Sequence, residues 1–209
     1  MSLFTDLPLA ARPLKQLPAN WMPEIAWSPP SELPSLRGAR RIAVDVETRD
    51  PDLSELGPGT RRSSCHIVGI AVGIDGGGRW YLPMRHEDGG NLDAGLVAAW
   101  AREEFGAFSG EVVGARLIYD LEWLEHEGVK FHPRARFLDI QNAEPLLDEN
   151  RRRYGLDALA RDYLGEGKVG AGLTRVAEIH RWRTDAEVKR NLWRLPAARS
   201  PRTSRVGAT

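Results

Sequence analysis

The stretch Asp45-Val46-Glu47-Thr48 closes the strand-like run Arg41-Ile42-Ala43-Val44 and constrains this chain more than any other feature. Side chains alternate along a strand, so Ile42, Val44 and Val46 share one face while Asp45 and Glu47 share the other. Two carboxylates side by side on an otherwise apolar strand repel each other and lose hydration, an arrangement that a cation held between them relieves. Oxygen ligands with no His or Cys nearby favour Mg²⁺ or Mn²⁺ over zinc. A solvated edge strand with an acidic face gives the same pattern, and Asp-x-Glu by itself does not choose between the two.

A second segment bears on that choice. Glu111-Val112-Val113-Gly114 reads as a short strand, after which Leu117-Ile118-Tyr119-Asp120-Leu121-Glu122-Trp123-Leu124 opens a helix. Leu117, Leu121 and Leu124 recur at helical spacing and line one buried face. Tyr119 and Asp120 fall in the first turn, where the helix dipole favours an acid, so Asp120 has a purely structural explanation as well.

Together these segments resemble the DEDD (DnaQ-like) 3′–5′ exonuclease superfamily. Asp45-Val46-Glu47-Thr48 is similar to its Exo I motif, and Val113-Gly114-Ala115-Arg116-Leu117-Ile118-Tyr119-Asp120 to Exo II, normally Asn, two or three residues, then Phe/Tyr-Asp. Phe137-Leu138-Asp139-Ile140, Ala143-Glu144-Pro145-Leu146-Leu147-Asp148 and the stretch from Tyr154 to Gly165 resemble the link from Exo II to Exo III. The nearest likeness is to the proofreading domain of family A DNA polymerases, phage-type ones included, over residues 40–195. Two motifs in order and at domain-scale spacing are more specific than either alone. The resemblance implies an α/β, ribonuclease-H-like mixed sheet flanked by helices, with a helical C-terminal half. It implies two divalent ions, Mg²⁺ or Mn²⁺, with Asp45 bridging both, Glu47 holding one and Asp120 the outer one. Thr48 would orient substrate, Tyr119 would pack between helix and strand, and the partner would be a single-stranded DNA 3′ end, RNA not being excluded.

Composition sets outer bounds. A chain of 209 residues can bury a full core as one domain. The lone cysteine, Cys65, rules out an internal disulfide framework and suits a reducing cytoplasm, with packing as its expected role. The longest apolar run, 67–74, is too short to span a bilayer, and no signal-peptide pattern opens the chain, so no membrane partner is expected. Lys and Arg total 29 against 29 Asp and Glu, a zero formal charge that argues against duplex DNA held by charge alone. A basic C-terminal third (Arg151-Arg152-Arg153, Arg175, Arg181, Arg183 and beyond) suits a nucleic-acid backbone or a solvated face.

Punctuation divides the chain into a Pro-rich arm (1–38), an exonuclease domain (39–197) and a tail without apolar periodicity (198–209), read as disordered. Trp21 and Trp27 are expected to pack the arm onto the domain. Within the domain the pattern predicts a strand from 41, a loop over 49–63, and strands at 66–74, 79–83, 111–114 and 136–139. Gly76-Gly77-Gly78 reads as a hairpin turn and not a phosphate cradle. Helices are expected at 92–105 (starting after Asn91), from 117, and at 140–147, 155–164, 172–181 and 185–193, with Asp139 capping the helix at 140.

Two departures from the family stand out. Exo III of the polymerase branch, Tyr with Asp four residues on, is absent after Tyr163. His180 and Asp185 have the spacing of the other branch, whereas Asn191-Leu192-Trp193-Arg194-Leu195-Pro196-Ala197 resembles the segment just before a polymerase-type Exo III. The reading preferred here is that the chain loses the motif by truncation, through a shift of frame near Ser200. The second departure is Arg116, a long cation where Exo II has Asn, suited to phosphate or to neutralising Asp120. The function expected is a metal-dependent 3′–5′ exonuclease, free-standing or beside a DNA polymerase domain. A non-catalytic nucleic-acid-binding remnant and an internally cutting nuclease remain as alternatives.

Overall fold

A computed structural model describes residues 28–87 and 90–165. The expectations for Trp21 and Trp27, the helices at 172–181 and 185–193, His180, Asp185 and the tail from 198 lie outside the described residues.

Alternation builds the first strand, β1 (Arg41–Arg49): Ile42, Val44 and Val46 are buried, whereas Asp45 and Glu47 are only half-buried on the opposite face. It is followed by a single helical turn, α1 (Leu53–Leu56), then β2 (His66–Ile74) and β3 (Arg79–Pro83). The turn between β2 and β3 uses Gly76 at φ 69°, a left-handed conformation that only glycine adopts without steric cost. Next come α2 (Ala94–Ala107), β4 (Glu111–Gly114), α3 (Leu117–His126), β5 (Arg136–Asp139), α4 (Ile140–Leu147) and α5 (Leu156–Leu164).

The five strands form one sheet in the order β3-β2-β1-β4-β5. β1 and β3 run antiparallel to β2, while β4 is parallel to both β1 and β5. Three antiparallel strands extended by two parallel ones, with helices packed on them, is the ribonuclease-H-like α/β arrangement expected from the sequence. Val97, Ala101 and Phe105 of α2 join Trp123 and Leu124 of α3 in one core with Ile42, Val44, Val46, Val72 and Leu82 of the sheet. Leu36 belongs to the same core. The Pro34 carbonyl accepts from Trp100 Nε1 at 2.6 Å and the Leu36 amide donates to Glu104 Oε2 at 2.7 Å, fastening this end of the proline-rich segment onto α2.

Two local expectations are corrected. α2 starts at Ala94, not 92, because Asp93 is the residue whose side chain accepts from Leu96 N; Asn91 is engaged with the His86 backbone instead. The expected loop over 49–63 contains α1, a turn too short to show helical periodicity.

Candidate active site

Asp45 and Glu47 lie on the central strand and not on an edge, which removes the solvated-edge explanation for the acidic face. Asp45 Oδ2 and Glu47 Oε1 are both shut off from solvent. Across β2, Asp45 stands opposite Ala71 and Glu47 opposite Gly69, so neither carboxylate faces a large side chain from β2 itself. Directly after that pair the register slips, with Thr48 facing Ile67, so Val68 is the extra residue of a β-bulge. Its carbonyl turns to accept from the Met84 and Arg85 amides. Bulges re-aim strand ends, and this one falls where β1 enters its final residues.

Asp120 reaches the same strand from α3. Pairing between β1 and β4 stops at Ala43–Val113, so the backbone of β1 beyond it lacks a strand partner on that side. Asp120 fills the gap: Oδ1 accepts from Val46 N at 2.8 Å, the nitrogen of the peptide that follows Asp45. The residue is only 3% exposed, and burial pushes its carboxyl up to about 6, opposed by smaller backbone hydrogen bonds and helped slightly by the Asp139 charge. A buried acid on the first turn of a helix is thus a bond donor's partner for β1 as well as a charge at the site.

The donor chemistry fits a hard divalent cation: three carboxylates, no nitrogen or sulfur ligand, two of them shielded on one face of a strand. The geometry goes less far. Among the described residues no three acidic, histidine or cysteine side chains come close enough together to hold a metal ion. The structure therefore brings Asp45 and Glu47 together as a pair and Asp120 to the neighbouring peptide.

The other expected site residues are anchored locally. Thr48 Oγ1 and Tyr119 Oη share a hydrogen bond at 2.7 Å, and Tyr119 packs edge-on to Trp123, so Tyr119 belongs to the helix–strand core as expected. Arg116 is exposed and, among the described residues, is the one non-glycine residue at positive φ (60°). Its amide and that of Leu117 donate to Asp139, whose carboxylate also accepts from Gln141 N and Asn142 N. Asp139 therefore caps two helices, α4 as expected and α3 in addition, and pins the start of the Exo II-like helix to the end of β5.

Two groups near the site were missed by sequence reasoning. Asp50, 4% exposed, accepts from Gly59 N at 2.7 Å and from Arg62 Nη2 at 2.6 Å, tying the loop after β1 back onto the strand end, with buried Cys65 beside it. Tyr81 on β3 is fully buried, and its hydroxyl lies 2.6 Å from Nε2 of buried His86. The signal for the second was available: a glycine inside an apolar strand, Gly69, marks close approach by another group.

No protein-family model matches the chain. It is 44% identical over 168 residues, 80% of its length, to a DNA-directed DNA polymerase of Pseudomonas phage M6. The chain spans a quarter (25%) of that relative's length. Among solved structures it is similar to Brucella melitensis NrnC with bound Mg²⁺, at 16% identity and a TM-score of 0.48, covering 84% of this chain and 76% of that one. It is also similar to the Aedes aegypti Nibbler EXO domain, at 13% identity and a TM-score of 0.44, covering 75% and 72%. The chain is thus related over most of its length to part of a phage DNA polymerase, and its strand order agrees with the DEDD-type resemblance of its motifs.

Proposed function

We propose that this chain is a 3′–5′ exonuclease domain that removes nucleotides singly from the end of single-stranded DNA, in the manner of a proofreading domain beside a polymerase. The observation that carries the reading is the shielded Asp45–Glu47 pair on the central strand, with the Asp120 carboxyl bonded to the peptide next to it. Asp45 and Glu47 are the residues that would hold divalent magnesium or manganese, with Asp120 as the outer ligand. Such ions, when bound, supply charge neutralisation at the scissile phosphate and the leaving 3′ oxygen and an activated water.

The chain's own residues divide the remaining work. Asp120 carries a proton below about pH 6 and gives it up above, so its negative charge is available at neutral pH. Thr48 has its hydroxyl engaged by Tyr119, which leaves its backbone to meet the terminal nucleotide. Arg116, exposed at the start of α3, offers a guanidinium to a phosphate.

A 5′-labelled single strand incubated with the full chain and Mg²⁺ tests this directly. The expected product is a ladder shortening by single nucleotides from the 3′ end. Internal fragments, or shortening from the 5′ end, would reject it. The second reading, a nucleic-acid-binding remnant without catalysis, draws on the lack of a three-ligand cluster among the described residues. It predicts strand binding with no release of mononucleotides.

A further inference from the structure

From the packing around Gly69 we infer that Tyr81, held by His86, is a positioning residue for the Glu47 carboxylate. This rests on the proposed role of Glu47 as a cation ligand, and it concerns two residues outside the recognised motifs.

Gly69 stands directly across the ladder from Glu47. In an antiparallel pair, opposed side chains leave the same face of the sheet with their Cβ atoms about 4.5–5.5 Å apart. Gly69 has no side chain, and the Tyr81 ring from β3 occupies that place: a Cβ on Gly69 would sit 2.2 Å from Tyr81 Oη and 2.4 Å from Cζ. The phenol oxygen thus stands where the cross-strand neighbour of Glu47 would be. Tyr81 can lean there because it pairs with Ala71, one step along β2 on the same face, and Ala71 in turn pairs with Asp45. One ring therefore fills the sheet face beside both carboxylates.

The hydroxyl cannot rotate at will. Tyr81 is 0% and His86 4% exposed, and the two are joined at 2.6 Å. His86 is itself clamped, its amide donating to Asn91 Oδ1 and its carbonyl accepting from Asn91 Nδ2, each at 2.8 Å. In the tautomer whose Nε2 carries the proton, His86 donates to Tyr81 Oη and frees the phenol proton for an acceptor on the Glu47 side of the ladder. The phenol stays protonated at neutral pH: burial first and the Glu47 charge second raise it well above the ordinary tyrosine range. Such outer partners fix the orientation of a ligating carboxylate, and losing them typically weakens metal affinity or activity ~10–100-fold.

The test uses the full chain and reads Mg²⁺ and Mn²⁺ half-saturation from metal-dependent thermal stabilisation, with far-UV circular dichroism as the folding control. Tyr81→Phe removes one oxygen and is expected to raise the half-saturating concentration roughly tenfold. His86→Leu should shift it in the same direction, and the double variant should shift no further than Tyr81→Phe alone, because His86 acts only through the phenol. In a Glu47→Gln background, Tyr81→Phe should have no further effect on metal half-saturation. A purely structural role would lower the metal-free melting temperature in each single variant and leave half-saturation unmoved, and that result overturns the inference. Wild-type saturation with an unshifted Tyr81→Phe sinks the inference alone. Failure of the wild-type chain to saturate with either ion overturns the cation-ligand reading, and this inference with it.

Discussion

Replacing Asp120 by Asn should stabilise the metal-free domain, and by an amount that depends on pH. The native carboxyl titrates near 6 against an ordinary 3.8, chiefly because it is buried. At ~1.4 kcal/mol per pH unit, that difference is worth about 3 kcal/mol. Because the folded value is the higher one, the protonated side chain favours the fold. This contribution is fully present below about pH 4 and is lost as pH rises through about 6. Asparagine keeps an oxygen to accept from Val46 N, which the carboxylate now does at 2.8 Å, and carries no charge to desolvate. Urea unfolding without divalent ions at pH 3.5 and pH 8 should therefore show the variant gaining on the wild type by about 3 kcal/mol between the two pH values. A difference that does not change with pH, or a variant less stable at pH 8 than the wild type, would refute the assignment of Asp120 as a charge buried at a cost in stability.

Three further outcomes follow. Arg116→Asn should raise stability by ~0.5–1 kcal/mol, since the backbone at φ 60° strains arginine and Asn tolerates this region best after Gly; thermal melts decide it. Asp139→Ala releases amides at the starts of both α3 and α4 and should lose about 1–3 kcal/mol, twice an ordinary cap, with amide exchange accelerated in both helices. Gly69→Ala should lose ~1–3 kcal/mol by overpacking against Tyr81, and in a double-mutant cycle that loss should shrink when Gly69→Ala is made in a Tyr81→Ala background, in the same unfolding assay.

Much of the sheet was legible because its strands write their burial into local patterns. β1 alternates, β2 is continuously apolar because buried side chains lie on both of its faces, and the triple glycine between β2 and β3 admits little but a tight turn. The same logic exposed Asp45 and Glu47, whose charge breaks an apolar strand. Asp120 was legible only through its motif, since a helix start explains an acid equally well, and its bond to Val46 N depends on where β4 ends. Tyr81 and His86 carry no pattern of their own. What links them to Glu47 is strand order, and order arises from long-range pairing that local sequence does not encode. Asp50 was passed over for a similar reason: its partners Gly59 and Arg62 lie in a loop whose return path is set by the fold. The αL backbone at Arg116 was hidden because arginine is an unusual residue there, whereas the family's Asn would have signalled it.

The central claim, that the shielded carboxylate pair on β1 makes this chain an exonuclease, is tested most directly by one comparison. Wild type and Asp45→Ala are each incubated with a 5′-labelled single strand, with and without Mg²⁺, after circular dichroism shows both folded. The account predicts stepwise shortening from the 3′ end by the wild type only in the presence of Mg²⁺, and a loss of at least a hundredfold in Asp45→Ala. Equal rates for the two proteins, or shortening that persists without any divalent ion, would contradict it.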